Sequence, residues 1–136
     1  MRLRYRFPKS VRIEALFFIA EYEIALLDME AGVEHFGRGT DNSVDGILMI
    51  VDPSFESLRL SAKIADLSTS IGKPIWFCLN KVTEEAAQMM EEEVGKHGAI
   101  IGRMPLDHDL ALAGLTGTEL QMTIAPVSEM AQFLIQ

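Results

Sequence analysis

Apolar strands that alternate with helical patterns constrain the fold of this chain more than any other feature. Residues 47–51 and 75–79 are short, wholly apolar runs of strand length, and a helical pattern follows each of them. Strands that alternate with helices form βαβ units, in which the strands run parallel. A run that is apolar throughout indicates a strand covered on both faces. We therefore predict an α/β fold with a parallel β-sheet flanked by helices.

The same pattern extends towards both ends of the chain. An apolar run at 24–28 predicts a further strand, and 99–101 begin another strand that Pro105 ends. Thr83 is expected to be the N-cap of the helix that follows 75–79. Alternating arginines and apolar residues over 2–7 predict a half-buried edge strand. The predicted helices cover 11–22, 55–70, 84–96, 107–113 and 126–134.

Length and composition indicate a single domain over 1–136, with a basic arm or edge strand at 1–9 and an α/β body at 10–136. Hydrophobic residues make up 49% of the chain and charged residues 24%, which argues against disorder. No apolar run reaches the roughly 18 residues of a membrane span. The basic residues in 1–12 and the apolar residues 15–20 resemble parts of a secretory signal, but Glu14 lies between them and no small-residue cleavage site follows. We therefore expect no secretory signal. The single cysteine, Cys78, excludes an internal disulfide and favours the cytoplasm.

Charge is unevenly distributed along the chain. Five of the 12 basic residues lie in 1–12, and all 20 acidic residues lie after them. Seven basic residues against 20 acidic ones give 13–136 a formal charge of −13. A body this acidic repels phosphate backbones, so nucleic acid is not an expected partner. The basic arm has two open interpretations: it binds an acidic surface, such as that of another copy, or it is a solvated tail.

Polar residues at the ends of the predicted strands form the candidate site. Asp28 ends the run at 24–28, Asp52 follows 47–51, and Asn80 follows 75–79. The carboxyl ends of parallel strands meet at one edge of the sheet, where α/β proteins bind their ligands. We therefore predict that Asp28, Gly32, Asp52 and Asn80 lie together at this edge.

One segment, Asp28-Met-Glu-Ala-Gly32 continued by Glu34-His-Phe-Gly-Arg-Gly39, is similar to the switch region of a known family. That family is the carbon monoxide dehydrogenase accessory ATPases, nickel-insertion factors of the MinD/ArsA-like P-loop NTPases. The resemblance continues through Val51-Asp-Pro-Ser-Phe-Glu-Ser-Leu-Arg59, Ile71-Gly-Lys-Pro74 and Leu79-Asn-Lys-Val82. It implies a MinD-like P-loop NTPase fold, ATP and Mg²⁺ as ligands, and nucleotide-dependent assembly of a metal centre.

The resemblance also implies roles for single residues. Asp28 would hold Mg²⁺ through water, and the segment after it would form a switch that senses the γ-phosphate. Asn80 would contact the adenine edge with Lys81 beside it, and the turn from Pro105 to Asp107 would offer backbone groups to the base. The candidate catalytic residues are thus Asp28, Gly32, Glu34 and His35, and the candidate nucleotide-binding residues are Asp52, Asn80, Lys81, Pro105 and Asp107.

Two features of the resembled family do not occur in the 136 residues. There is no Gly-x-x-x-x-Gly-Lys-[Ser/Thr] phosphate loop, and there is no Cys-x-Cys pair of the kind that nickel-handling members use between subunits. Without the loop's amides and lysine, a triphosphate lacks donors and countercharge, and carboxylates such as Asp28, Glu30 and Asp52 repel it. We expect the chain by itself to bind ATP weakly or not at all, and not to hydrolyse it.

Two functions therefore stay open. The first is a truncated or split maturation-type ATPase, whose phosphate loop comes from a separate polypeptide. The second is a pseudo-ATPase that pairs with a full-length relative or a metalloenzyme and regulates it. The expected partners are a second copy, a relative that carries the P-loop, or a metalloenzyme client, and no membrane is expected.

The other reactive side chains favour structural roles. His35 is either a metal ligand or general base, or a switch residue bonded locally; the second is favoured because His97 and His108 have no ligand spacing with it. Cys78 is expected to be a buried, inert thiol. Met89 and Met90 are expected to divide between surface and core.

A last expectation concerns the strand that leads into the phosphate loop in the resembled family. In that family it lies between the strands matching 24–28 and 47–51, and the 136 residues contain no counterpart of it. An open slot would leave buried backbone groups unpaired, so we expect these two runs to pair directly. Residues 2–7 are then expected at a sheet edge or on a second subunit, which favours self-association.

Overall fold

A parallel sheet with helices on its flanks is the architecture of the computed structural model, which describes residues 26–29, 44–120 and 123–135. The three strands are β1 (Ile47–Val51), β2 (Ile75–Val82) and β3 (Ala99–Pro105), hydrogen-bonded in the order β1-β2-β3. The predicted α/β fold with a parallel sheet is confirmed. The helices are α1 (Phe55–Ser70), α2 (Glu84–Val94), α3 (His108–Thr116) and α4 (Ala125–Ile135).

The register of the strands brings their carboxyl ends together. β1 pairs with β2 without interruption, from Ile47 opposite Ile75 to Val51 opposite Leu79. The pairing of β2 with β3 shifts register twice and ends with Val82 opposite Pro105. The residues that follow β1, end β2 and follow β3 therefore share one edge of the sheet, as the sequence predicts for a ligand site.

Side-chain caps explain where the helices begin. Ser54 is the N-cap of α1, and its hydroxyl accepts a hydrogen bond from Ser57 N at 3.2 Å. Thr83, the predicted N-cap of α2, accepts from Ala86 N at 3.3 Å and is confirmed. These bonds satisfy N–H groups that have no partner within the helix. At its other end α2 stops at Val94 rather than 96, since Gly95 is its C-cap.

The hydrophobic core lies between the sheet and the first two helices. Six buried residues form one cluster: Val51, Ala65, Phe77, Leu79, Met90 and Val94. Met90 is 2% exposed whereas Met89 is 63% exposed, so the expected division of this pair is confirmed. Cys78 is a free, buried thiol, and burial raises its pKa because the thiolate is desolvated.

The carboxyl-terminal helix covers the other face of the sheet. Trp76 and Phe77 are neighbours in β2, so their side chains point to opposite faces. Trp76 meets Phe133 of α4 edge-on, with ring centroids 6.1 Å apart. Met130 of α4 lies directly over Gly102 of β3. By contrast, α3 has no buried residue. No helix in the described ranges is long and apolar enough to cross a membrane.

The prediction of a strand at 24–28 is wrong for the residues of this run that the structure describes. Of this run the structure describes 26–28, and these residues lie in no strand; Leu26 is 48% exposed. Within the described ranges β1 pairs only with β2, so the expected direct pairing of 24–28 with 47–51 is not found. An apolar run becomes a strand only where a neighbour receives its backbone hydrogen bonds, which sequence pattern alone does not show. Residues 2–7 and the predicted helix at 11–22 lie outside the described residues.

Candidate functional site at the carboxyl edge of the sheet

Three predicted site residues make direct contact at the ends of β1 and β2. Because Val51 pairs with Leu79, the next residues, Asp52 and Asn80, lie side by side. Asn80 Nδ2 donates a hydrogen bond to Asp52 Oδ1 at 2.8 Å. Lys81 Nζ donates to the other oxygen, Asp52 Oδ2, at 2.6 Å. We call Asp52, Asn80 and Lys81 the strand-end triad.

The turn between β1 and α1 holds Asp52 by its backbone. Asp52 N donates to Ser57 Oγ at 3.0 Å, and Asp52 O accepts from Ser54 N at 2.7 Å. Ser57 is in turn tied to the N-cap Ser54. Sequence reasoning missed Ser57, although its position three residues after an N-cap serine was the available signal. The carboxylate of Asp52 is therefore presented from a fixed backbone.

Lys81 owes its direction to an irregularity at the end of β2. Between Leu79 and Val82 the register shifts by one, so that β2 carries one residue more than β3 does between Arg103 and Pro105. Lys81 has a φ of 53°, the one positive φ of a non-glycine residue in the described ranges. This conformation costs an L-residue about 1–2 kcal/mol. Bulges of this kind re-aim side chains, and here the Lys81 ammonium reaches Asp52.

The turn after β3 closes the same edge. Leu106 N donates to Val82 O at 3.1 Å, which joins the turn to the end of β2. Asp107 is the N-cap of α3, and its Oδ1 accepts from Asp109 N at 2.8 Å and from Leu110 N at 3.0 Å. The predicted helix at 107–113 thus begins one residue later and extends to Thr116. The Asp107 carboxylate caps α3, and Leu106 N and Asp107 O are already bonded within the protein, so the contact of the turn from Pro105 to Asp107 with a base stays a prediction.

Electrostatics favour the ionised form of Asp52. The pKa of Asp52 lies below its ordinary value, chiefly because the Lys81 ammonium donates a hydrogen bond to the carboxylate. Partial burial acts in the opposite direction and raises this pKa, whereas the hydrogen bond from the Asn80 amide lowers it further. The side chains of Lys81 and Asp52 are 56% and 39% exposed, so solvent screens their ion pair. We infer that the triad orders these groups more than it stabilises the fold.

The lowered pKa of Asp52 predicts a pH-dependent difference between the wild type and Asp52→Asn. A carboxyl group whose pKa is lower in the folded than in the unfolded state stabilises the fold at pH values above its unfolded pKa, about 3.9. This stabilisation is lost as the pH falls through the folded-state pKa. Asp52→Asn should therefore be less stable than the wild type at neutral pH, and the difference should vanish in acid. Urea unfolding at a series of pH values measures this. The control is Asp66→Asn on the exposed side of α1, and an Asp52→Asn difference that stays constant with pH contradicts the prediction.

The remaining predicted site residues are not brought into the triad by the described structure. Asp28 is exposed, and it makes no hydrogen bond or ion pair with another described residue. Gly32, Glu34 and His35 lie outside the described residues. No group of three or more His, Cys, Asp or Glu side chains in the described ranges is placed to hold a metal ion. The Mg²⁺ role of Asp28 and the switch role of its neighbours stay predictions.

An open cleft adjoins the triad on the side of β1. Its described lining contains two carboxylates, those of Asp52 and Glu56, and no lysine or arginine. The nearby Arg59 lies over the Phe55 ring, 5.8 Å from its centroid. The residues that line the cleft are Ile50, Asp52, Ser54, Glu56, Ser57 and Leu60. Among the described residues the lining therefore offers no countercharge to a phosphate, and the nearby Lys81 ammonium is bonded to Asp52.

Comparison with known proteins identifies the group to which these residues belong. No family model matches the chain. An ATP-binding protein of Methanocaldococcus jannaschii is 34% identical over 128 residues, which cover 94% of this chain and 49% of that protein. A second ATP-binding protein of the same organism is 30% identical, covering 85% of this chain and 47% of its own length. Both relatives carry no more specific description than ATP binding.

A third relative has a described role. The carbon monoxide dehydrogenase accessory protein CooC of Rhodospirillum rubrum is 33% identical over 96 residues, which cover 70% of this chain and 36% of CooC. The chain spans about half the length, or less, of the relatives that it matches. The matches extend across most of the chain, including the segments that hold the strand-end triad. The chain belongs to the family of ATP-binding proteins that includes the carbon monoxide dehydrogenase accessory protein CooC.

Proposed function

We propose that these 136 residues form the adenine-binding edge of an ATP-dependent protein that assembles the metal centre of an enzyme. The observation that carries the proposal is the strand-end triad, which presents the Asn80 amide at the carboxyl edge of a parallel sheet. An amide side chain is a suitable partner for adenine, because it both donates and accepts hydrogen bonds. The enzyme served follows the name of CooC, an accessory protein of carbon monoxide dehydrogenase, and the ATP follows the names of the other relatives. The assembly of a metal centre follows the family resemblance of the segment from Asp28 to Gly39.

Base contact and phosphate contact are separate in this proposal. Asn80 offers its amide to a base at the edge that the turn at Leu106 closes, whereas the cleft beside Asp52 is lined by carboxylates and, among the described residues, by no basic side chain. The 136 residues contain no phosphate-loop sequence. We propose that hydrolysis requires a phosphate loop from outside these 136 residues, and that the 136 residues by themselves bind Mg·ATP more weakly than micromolar.

A titration followed by NMR tests the base site. Amide signals of ¹⁵N-labelled protein are recorded with increasing Mg·ATP and, separately, Mg·GTP. We expect ATP, and not GTP, to shift the signals of Asn80, Lys81 and Leu106, with saturation well above micromolar concentration. Asn80→Ala should abolish the shifts, whereas Gln88→Ala, which removes an exposed amide from α2, should leave them unchanged. Shifts confined to other parts of the sheet would contradict the proposal.

A phosphate-release assay separates the two functions that the sequence leaves open. The protein by itself is expected to release no phosphate from ATP above the rate without protein. It is then added to a full-length relative such as CooC. A change in the relative's rate that saturates with added chain supports a regulatory pseudo-ATPase, and an unchanged rate favours a split ATPase that awaits its own partner. Phosphate release by these 136 residues alone contradicts the need for a phosphate loop from outside them.

A further inference from the structure

The hydrogen bonds of the strand-end triad fix which way the Asn80 amide points. An ionised carboxylate only accepts hydrogen bonds, so the group that faces Asp52 Oδ1 at 2.8 Å is the NH₂ group of Asn80 and not its oxygen. The pKa of Asp52 is lowered, which keeps this carboxylate ionised at neutral pH. Rotating the amide by half a turn would set two oxygens against each other.

Asp52 is held in place, so its carboxylate has little freedom to move if the Asn80 amide rotates. Lys81 Nζ binds its second oxygen, Oδ2, at 2.6 Å. Its backbone N–H is held by Ser57 Oγ, and its carbonyl by Ser54 N. The acceptor for Asn80 is therefore held from three sides before any ligand binds, which is the supporting shell that a precise binding group needs.

The fixed amide has a definite hydrogen-bonding capacity. Asn80 Nδ2 carries two hydrogens, and one of them is given to Asp52. No other described residue binds this amide, so one N–H and the carbonyl oxygen remain as a donor and an acceptor for a ligand. Adenine offers the complementary pair at its N6 amino group and N7. A 6-oxopurine offers two acceptors at O6 and N7, which would set its O6 or N7 against the Asn80 oxygen.

We infer that Asp52 is a positioning residue that locks the Asn80 amide and thereby sets the preference of this site for a 6-aminopurine over a 6-oxopurine. This inference rests on the proposed adenine-binding function. Asp52 itself need not touch the base, and it acts through the orientation of its neighbour.

Adenosine and inosine are the probes that test this role. They differ only at position 6 and its neighbouring N1, and they carry no phosphate, so the acidic cleft does not affect the comparison. Their affinities are measured by NMR titration for the wild type, Asp52→Ala and the control Asp66→Ala. We expect Asp52→Ala to lower the adenosine-to-inosine affinity ratio by about fivefold or more, the lower end of the discrimination of one bidentate amide–base pair. Asp66→Ala should keep the wild-type ratio.

A measurement on the wild type covers the case in which Asp52→Ala does not fold. The two Nδ2 protons of Asn80 should give separate signals, and saturating adenosine should shift the free proton more than the one bound to Asp52. Equal shifts of both protons overturn the positioning role. Adenosine binding with an unchanged ratio in folded Asp52→Ala also overturns this role while leaving the adenine site standing. A wild type in which adenosine shifts no Asn80 signal overturns the proposed function and this inference together.

Discussion

Replacing Phe77 with alanine is expected to lower the free energy of unfolding by about 3–5 kcal/mol, the usual cost of removing a buried aromatic ring from a core. Phe77 is fully buried in the centre of β2, in the cluster with Val51 and Leu79. Its ring also lies against Gly98, whose added Cβ would be 3.0 Å from Phe77 Cε2, so on that side the neighbouring residue has no side chain to fill the space.

Urea unfolding followed by far-UV circular dichroism measures this change. The matched control is Phe55→Ala at the start of α1, where the ring is 72% exposed and contacts Arg59. Its loss should cost less than about 1 kcal/mol, the range of an exposed cation–π contact. Similar losses for the two phenylalanines would show that the core does not lie between the sheet and α1 and α2.

Replacing Gly102 with alanine is expected to be the second largest effect, a loss of about 1–3 kcal/mol through overpacking. A Cβ at this position of β3 would overlap the side chain of Met130, which is itself 8% exposed beneath α4. Because Met130 is buried between α4 and β3, displacing its side chain disturbs the packing of α4 on the sheet. The substitution should therefore loosen α4 from the sheet, even where β3 itself persists.

The fluorescence of Trp76, the single tryptophan, reports on this contact directly. Phe133 of α4 lies edge-on to the Trp76 ring, with an angle of 79° between the ring planes, so undocking of α4 should change the emission of Trp76. Gly114→Ala in α3 is the control with the opposite sign. A Cβ there meets no atom within 4 Å, and alanine in a helix is more favourable than glycine by up to about 1 kcal/mol. A Gly102→Ala protein as stable as Gly114→Ala would contradict this packing.

The strand and helix pattern shows how far local sequence reaches. The runs at 47–51 and 75–79, the helix at 55–70 and the Thr83 cap were predictable, because uniform apolarity, helical spacing and a capping residue act over a few residues. The run at 24–28 carries the same apolar signal, yet its described residues lie in no strand. A strand depends on a distant neighbour for its hydrogen bonds, and that dependence is absent from the local pattern.

The candidate site likewise has features that were predictable from the sequence and features that only the tertiary structure shows. Sequence by itself predicted that Asp52 and Asn80 follow parallel strands and so belong to one edge, because strand direction and approximate strand ends are readable from the chain. Lys81 was placed beside Asn80 by the family resemblance, and β2 extends through both residues to Val82. Only the tertiary structure decided that Asp52 binds both of the others, that Ser57 holds Asp52, and that a bulge turns Lys81 towards it. Those contacts join residues up to 29 positions apart through strand register. Register is set by packing across the whole sheet, and a shift of one residue would turn each of these side chains to the other face.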